Sequence, residues 1–240
     1  MHKQILICVD CEATGLDIKN DKIIEIAAVK FTFDKILDSF STLIDPHCPI
    51  PKTSQVIHNI TEEMVRGKPS IENILPDFLK FISSNIIIGH GISFDISLIK
   101  KEAIIANIPC YIEKNRTIDT LRLARYYEKC AINSLEKLKE HFNIESKRSH
   151  RALDDVKANI EVFKNLIKPF PTLKSIFNRL KKPILMKKMP LGKYKGKDFS
   201  DIPLNYLLWA ANKEFDQDLL FSIKNEIKKR NNFSSPFANL

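Results

Sequence analysis

No apolar run in this chain approaches the roughly 20 residues that a membrane-spanning helix needs. The early run Ile5–Val9 is short and carries straight into Asp10, so no signal peptide and no membrane partner are expected. Cysteine is scarce and odd in number, with five at positions 8, 11, 48, 110 and 130. That pattern argues against a disulfide framework and for reduced thiols, and the protein reads as cytoplasmic. Cys8 and Cys11 do form a C-x-x-C. On a strand, however, side chains three apart point to opposite faces, and no second Cys/His pair is at hand to complete a zinc site. Acid is also missing from one long stretch: Lys168 to Lys197 contains no Asp or Glu. No internal repeat is visible.

What is present divides unevenly along the chain. The 240 residues carry a formal charge of +9. Residues 1–167 hold 23 basic and 23 acidic side chains, whereas residues 168–240 hold 15 basic against 6 acidic, so the tail carries the whole excess. A basic tail on a neutral body suggests a polyanionic partner, either nucleic acid or an anionic membrane surface, against the simpler reading of a solvated lysine-rich linker. Residues 1–168 read as one domain. Pro169, Pro171, Pro183 and Pro190 punctuate the basic segment that follows, and 169–188 reads as a linker. A small basic, α-rich module is expected over 189–240, too small to stand alone with confidence.

Within the first domain, Ile5–Asp10 is nearly continuous in apolar residues, the mark of a strand buried on both faces. Ile23–Phe33 and Ile36–Asp45 follow as strands, joined at Asp34-Lys35 by a hairpin turn. Short and longer helices are predicted over Thr61–Val65 and Ile71–Ile82, with Thr61 and Ser70 as caps. Ile86–Ile88 is a fourth strand ending at Gly89, and Phe94–Ala106 has helical spacing. Thr117–Tyr127 is mixed. Asn133-Ser-Leu-Glu136 resembles a capping box before Leu135–Phe142. Arg151–Ile167 is a last amphipathic helix with Ala152, Val156, Ile160, Phe163 and Ile167 on one stripe. The fold class is α/β, a mixed central sheet flanked by helices.

Five residues in three blocks carry the chemistry. Asp10 and Glu12 are two apart on a strand and share a face. Crowded carboxylates in an apolar strand repel one another unless a cation sits between them, and a hard oxygen-seeking ion such as magnesium suits them. Asp95 ends Gly89-His-Gly-Ile-Ser-Phe-Asp95 at a strand-to-helix junction. His150 and Asp155 frame His150-Arg-Ala-Leu-Asp-Asp155. Asp154 is the competing carboxylate, but the five-residue step from the histidine favours Asp155. Such a set fits phosphodiester hydrolysis with two divalent ions, with His150 (intrinsic pKa about 6.5) suited to take a proton from water.

In this order and context the five residues resemble the DEDDh family of 3′→5′ exonucleases, on the ribonuclease H-like fold. The resemblance spans about residues 4–167. It includes Thr14-Gly15-Leu16, Ile24-Glu25-Ile26, Ile57-His58-Asn59-Ile60-Thr61 and Ile118-Asp119-Thr120-Leu121. It implies that Asp10, Glu12, Asp95 and Asp155 hold two Mg²⁺, with Mn²⁺ as a substitute, and that His150 is the general base. It further implies that Ala13, Thr14 and Leu16 meet the terminal nucleotide, and it adds His58 to the substrate-binding set. One departure is Gly91, where the family usually has asparagine.

The tail from Met189 to Trp209 resembles the small C-terminal module of exodeoxyribonuclease X-like proteins. There Lys193, Lys195 and Lys197 surround Tyr194 between two glycines, a loop able to approach a phosphate backbone while a ring stacks on a base. Tyr206 and Trp209 read as the core of that module. Gln217–Phe221 looks like a sliding-clamp pentapeptide, against the simpler reading that Leu220 and Phe221 form the apolar stripe of the last helix. The expected activity is exonucleolytic removal of nucleoside monophosphates from DNA 3′ ends in repair or replication. Proofreading, trimming of RNA, and a non-catalytic nucleic-acid-binding module are the alternatives.

Overall fold

A computed structural model describes residues 4–127, 133–145 and 151–233. Five strands, β1 (Leu6–Ala13), β2 (Ile23–Phe31), β3 (Ile36–Leu43), β4 (Ile86–Gly89) and β5 (Thr117–Asp119), form one sheet in the order β3-β2-β1-β4-β5. The first three make an antiparallel meander, and Phe31 pairs with Ile36 across the predicted hairpin. β4 and β5 run parallel to β1. Parallel neighbours cannot be joined by a tight turn, so α4 (Ser93–Ile105) carries the chain from β4 towards β5. The carboxyl ends of β1, β4 and β5 therefore meet at one edge, the place where open α/β sheets present their ligand crevice.

The two faces of β1 go to different cores. Leu6 and Cys8 join a cluster with Val156, Ile160 and Phe163 of α7 (Ala152–Leu166), which also holds Leu123 of α5 (Thr120–Tyr127) and Leu138 of α6 (Leu135–His141). Ile7 and Val9 join Leu75 and Phe78 of α3 (Ile71–Ile82) and Leu98 and Ile99 of α4. The same alternation separates Cys8 from Cys11 as expected, and both are free thiols. The α7 stripe is buried as predicted: Ala152, Val156, Ile160, Phe163 and Ile167 are all at most 5% exposed. After α1 (Lys52–His58), α2 (Glu62–Val65) packs Met64 and Val65 into a small cluster with Ile24 and Leu43.

Several local expectations are corrected. Thr61 and Ser70 precede their helices without a side-chain capping bond, and the Ser70 hydroxyl instead accepts from Asn73 Nδ2 at 3.1 Å. The cap of α6 is Ser134, one residue later than the box predicts, and it accepts from Lys137 N. The stretch read as linker contains α8 (Leu173–Leu180), opened by a capping box between Thr172 and Ser175. Ile176, Leu180 and Ile184 pack into the α7 core, so this stretch is part of the packed body.

The small module comprises α9 (Leu204–Ala210) and α10 (Gln217–Phe233) around Met189, Phe199, Leu207, Leu219 and Ile223. In α10 the apolar stripe is Leu219 and Ile223, with Phe221 40% exposed, which displaces the expected pair Leu220 and Phe221. Trp209 is 52% exposed and lies outside this core, contrary to expectation, while Tyr206 packs between Tyr194 and Trp209. Asp218, fully buried, accepts from Arg122 Nε at 2.9 Å, Arg125 Nη1 at 3.1 Å and the Ile184 amide at 3.0 Å. Charge pairing thereby locks the module onto α5. Among the described residues, no helix is long and apolar enough to cross a membrane.

Candidate active site

Asp10 and Glu12 project from the end of β1 on the face that α7 crosses. Carboxylate oxygens of Asp10, Glu12 and Asp155 all lie within 4.8 Å of one another. Asp155 sits in the first turn of α7 and points at the strand; Asp154 lies outside this cluster. Asp95 enters from the other layer, in the first turn of α4, and its Oδ1 accepts from the Cys11 amide at 3.0 Å. The amide lies between the two strand carboxylates, so Asp95 closes the group from the side. His150, the sequence's choice of base, falls outside the described residues.

The electrostatics show what this arrangement requires. Burial, then Asp95, Glu12 and Asp155, hold the Asp10 carboxyl well above its usual range. Burial and the charges of Asp155, Glu25 and Asp95 push Glu12 up to about 8. Burial also lifts Asp95 to about 7, against the opposing amide hydrogen bonds. Carboxylates forced together in low dielectric need either protons or cations. An all-oxygen donor set at this spacing fits hard divalent ions and not a soft thiophilic metal.

A supporting layer was not assigned from the sequence. Glu25, 3% exposed and paired with Glu12 across the β1–β2 ladder, accepts from Arg151 Nη2 at 2.7 Å and from the Ala152 amide at 3.0 Å. It holds the start of α7 and with it Asp155. The readable signals were an acid within the apolar run Ile23–Val29 and its place in the motif Ile24-Glu25-Ile26. Lys139, also buried, brings its Nζ to 3.7 Å from Asp155 Oδ1; its place four residues after Leu135 put it on the inner face of α6. Glu25→Ala is expected to lower folding stability by about 2 kcal/mol, as a buried, charge-assisted pair is broken. Chemical denaturation of Glu25→Ala, Arg151→Ala and the double variant checks this. Simple additivity of the two single effects would mean that the pair is not coupled.

The expected substrate contacts fare differently. Thr14 is 4% exposed; its hydroxyl donates to Asp21 Oδ1 at 2.7 Å and accepts from Lys22 N at 3.0 Å. These bonds fold the loop tightly and leave Leu16 standing out, 86% exposed, at its tip. Ala13 ends β1 beside them. His58 is only 2% exposed, and its Nδ1 accepts from the Ile60 amide at 3.0 Å. It shapes the turn after α1 and lies beneath the surface, which corrects its assignment as a substrate contact.

Gly91 adopts φ +76°, and its amide donates to Asp119 Oδ1 at 2.9 Å. Asparagine is the other residue that enters this region readily, so the departure keeps the backbone conformation. The lysines of the tail also separate. Lys195 lines a groove towards the first domain, whereas Lys193 lies over the Tyr194 ring, which packs edge-on against Tyr206 at 4.6 Å. Tyr194 is accordingly a packing residue, not a free platform. Lys197 is exposed on the same loop.

Comparison with known proteins places these features. The exonuclease family model of the RNase T type matches residues 7–163. A second model, described as a putative quorum-sensing-regulated virulence factor, matches residues 178–227. The DNA polymerase III PolC-type protein of Clostridium perfringens is 37% identical over 189 residues, 76% of this chain but 13% of that protein. The DNA polymerase III subunit epsilon of Aquifex aeolicus is 35% identical over 65% of this chain and 77% of that protein. This chain thus spans a small fraction of the PolC-type relatives. Among solved structures, exonuclease X in complex with 5′ overhanging duplex DNA is 27% identical, covers 72% of this chain and 98% of that one, and has a TM-score of 0.58. Exonuclease I of E. coli in a single-stranded DNA complex shares the fold at 18% identity, with a TM-score of 0.65 over 74% of this chain and 43% of that one. With a family model covering most of its length and the mixed sheet of its structural neighbours, the chain belongs to the exonuclease family, as the DEDDh resemblance predicted.

Proposed function

We propose that the protein is a metal-dependent 3′→5′ exodeoxyribonuclease that releases nucleoside monophosphates from DNA ends. The observation that carries this reading is the convergence of Asp10, Glu12 and Asp155 at the carboxyl edge of β1, with Asp95 closing the side. Those four residues would hold two Mg²⁺ or Mn²⁺ ions. Bound there, such ions would supply a nucleophile at neutral pH and stabilise developing negative charge. The chain's own part is to fix Asp155 through Glu25 and Arg151, to present Leu16 against the terminal nucleotide, and to move the proton of the attacking water onto His150. DNA is favoured over RNA because the solved relative, exonuclease X, forms a complex with 5′ overhanging duplex DNA.

Replacing His150 by alanine should slow turnover by roughly 10²- to 10⁴-fold, the usual worth of a general base. Full activity in that variant would remove His150 from the role. The function itself is tested with 3′- and 5′-labelled single-stranded DNA and RNA in Mg²⁺. Mononucleotides from the 3′ label and a shortening ladder from the 5′ label support the reading, and the DNA-to-RNA ratio sets the substrate. No cleavage of either, with binding retained, would leave a nucleic-acid-binding module.

A proofreading role is the second reading, favoured by likeness to the epsilon subunit. The module held on α5 favours an enzyme that carries its own DNA-binding surface. A sliding clamp at Gln217–Phe221 would find Asp218 and Leu219 buried and Phe221 half-exposed in helix α10, so contact there requires the first turn to unwind.

A further inference from the structure

Glu102 is a buried acid that the carboxylate cluster does not use. It lies on α4, is 1% exposed, and stands seven residues after Asp95. Seven residues are two turns, so the two acids share one face of the helix, about 10 Å apart along its axis. One end of that face serves the active site, and the other meets the loop between β1 and β2. Glu102 Oε1 accepts from Lys101 Nζ at 2.6 Å, and the same ammonium donates to the Asp21 carbonyl at 2.6 Å. Lys22 Nζ stands 3.5 Å from Glu102 Oε2. The acid therefore gathers two lysines, and through them holds Asp21 and Lys22, the last two residues before β2.

The loop takes its shape from bonds of its own. The Thr14 amide donates to the Lys22 carbonyl at 2.9 Å, and the Asp17 amide to Asp21 Oδ2 at 2.7 Å. A side chain at Gly15 would collide with the Asp21 carboxylate, so the turn is packed on itself. These bonds do not set where the folded loop sits on the body. Ser54 of α1 fixes one side, its hydroxyl donating to the Thr14 carbonyl at 2.6 Å. Lys101 and Glu102 fix the other, against the helix that carries Asp95. A buried ion pair seldom adds stability over apolar residues of like volume, because desolvation offsets the attraction. What it favours is one geometry, since charges out of water demand their partners at one place. The residue placed in this way is Leu16, 86% exposed at the tip of the loop.

We propose that Lys101 and Glu102 are positioning residues, which set the distance between Leu16 and the carboxylate cluster. The proposal rests on the exonuclease reading for the contact of Leu16 with the terminal nucleotide. α4 then acts as a ruler. Its first turn places Asp95 at the reacting phosphodiester, and its third turn places the apolar tip against the nucleotide to be released. A shift of the loop on α4 would leave every carboxylate where it is and carry the scissile bond away from them. Both residues act through the 14–22 loop and not on the substrate.

The test uses the full chain with Lys101→Met, Glu102→Gln, Leu16→Ala and the double variant Lys101→Met/Leu16→Ala. Lys100→Met is the control: it removes the same charge from the same helix, from a lysine paired at 3.3 Å with Glu113 instead. Activity is measured on a single-stranded decanucleotide in saturating Mg²⁺. Lys101→Met and Glu102→Gln should each lower kcat/KM by roughly 10- to 100-fold, as a misplacement of about 1 Å at the reacting bond does. Lys100→Met should match the parent. In the Leu16→Ala background, Lys101→Met should cost no more than about twofold, because the residue it positions is gone. Equal losses in the two backgrounds would overturn the proposal, since a role in general stability adds regardless of Leu16. Hydrogen exchange read by mass spectrometry gives a second measure, free of catalysis. Residues 14–22 should exchange several-fold faster in Lys101→Met than in the parent, with 6–9 of β1 unchanged. Unaltered exchange in the loop would also overturn the proposal. A parent protein that cleaves nothing would strike the exonuclease reading alone, because exchange reads the clamp without hydrolysis.

Discussion

Asp10→Ala is expected to abolish mononucleotide release from DNA and, at the same time, to raise the melting temperature of the metal-free protein. The two effects have one cause. Without a cation, Asp10 sits among Asp95, Glu12 and Asp155 at a buried edge, with its carboxyl held well above the usual range. Removing it relieves repulsion that the fold otherwise carries, while taking away a ligand the reaction needs. The pH dependence has a definite sign. Glu12 is raised from 4.5 to about 8 and Asp95 from 3.8 to about 7. Groups with raised folded pKa values favour the native state while protonated, fully so below their unfolded values, and that contribution is lost as pH rises through about 7 to 8. The metal-free protein should therefore lose melting temperature across that window. Added Mg²⁺ should restore it by replacing protons with ions. Differential scanning calorimetry in EDTA and in Mg²⁺, at several pH values, gives both readings. A parent protein whose melting temperature ignores Mg²⁺, or an Asp10→Ala variant less stable in EDTA than the parent, would sink this account.

How much of this was legible beforehand follows from the range of the forces involved. Period-two alternation on β1 placed Asp10 and Glu12 on one face, and the 3.6-residue stripe on α7 set which side of that helix is buried. Both are local patterns that burial enforces. The partnership of Glu25 with Arg151 and Ala152 spans more than a hundred residues of chain, and no local period encodes it. Glu25 was marked by being an acid in an apolar run and by the family motif Ile24-Glu25-Ile26, but neither signal named its partners. β5 has three residues, too few for any period to declare itself. Helix α8 was hidden by the prolines around it and by a capping box that uses serine, not glutamate, at its third position. His58 and Trp209 failed for a common reason: a ring suits a core or a surface equally well, and only packing decides. The first went inside and the second stayed half out.

Asp218→Ala should be the most destabilising change outside the carboxylate cluster, by about 3–5 kcal/mol, because it leaves charged partners buried without their counterion. Asp218 is fully buried, and Arg122 and Arg125 are nearly so. Burial alone would raise the Asp218 carboxyl, but the hydrogen bonds and charges of Arg122, the Ile184 amide and Arg125 outweigh it and hold it below 3.8. A lowered folded pKa means that this stabilisation is present above the ordinary carboxylate range and is lost as pH falls through the folded value. Asp216 also reaches Arg125, at 2.8 Å, but is itself more exposed and cannot replace a buried partner of both arginines. The module's own core is small, so loosening it from α5 should separate one cooperative transition into two and open residues 181–190 to proteolysis. Urea unfolding followed by tryptophan fluorescence of Trp209 (the single tryptophan) and by far-ultraviolet circular dichroism reports the two parts separately. Asp218→Asn, which keeps the shape and some hydrogen bonds, should fall between. Coincident transitions with a loss under about 1 kcal/mol would mean that packing of Leu219 and Ile223 holds the module in place without the ion pairs.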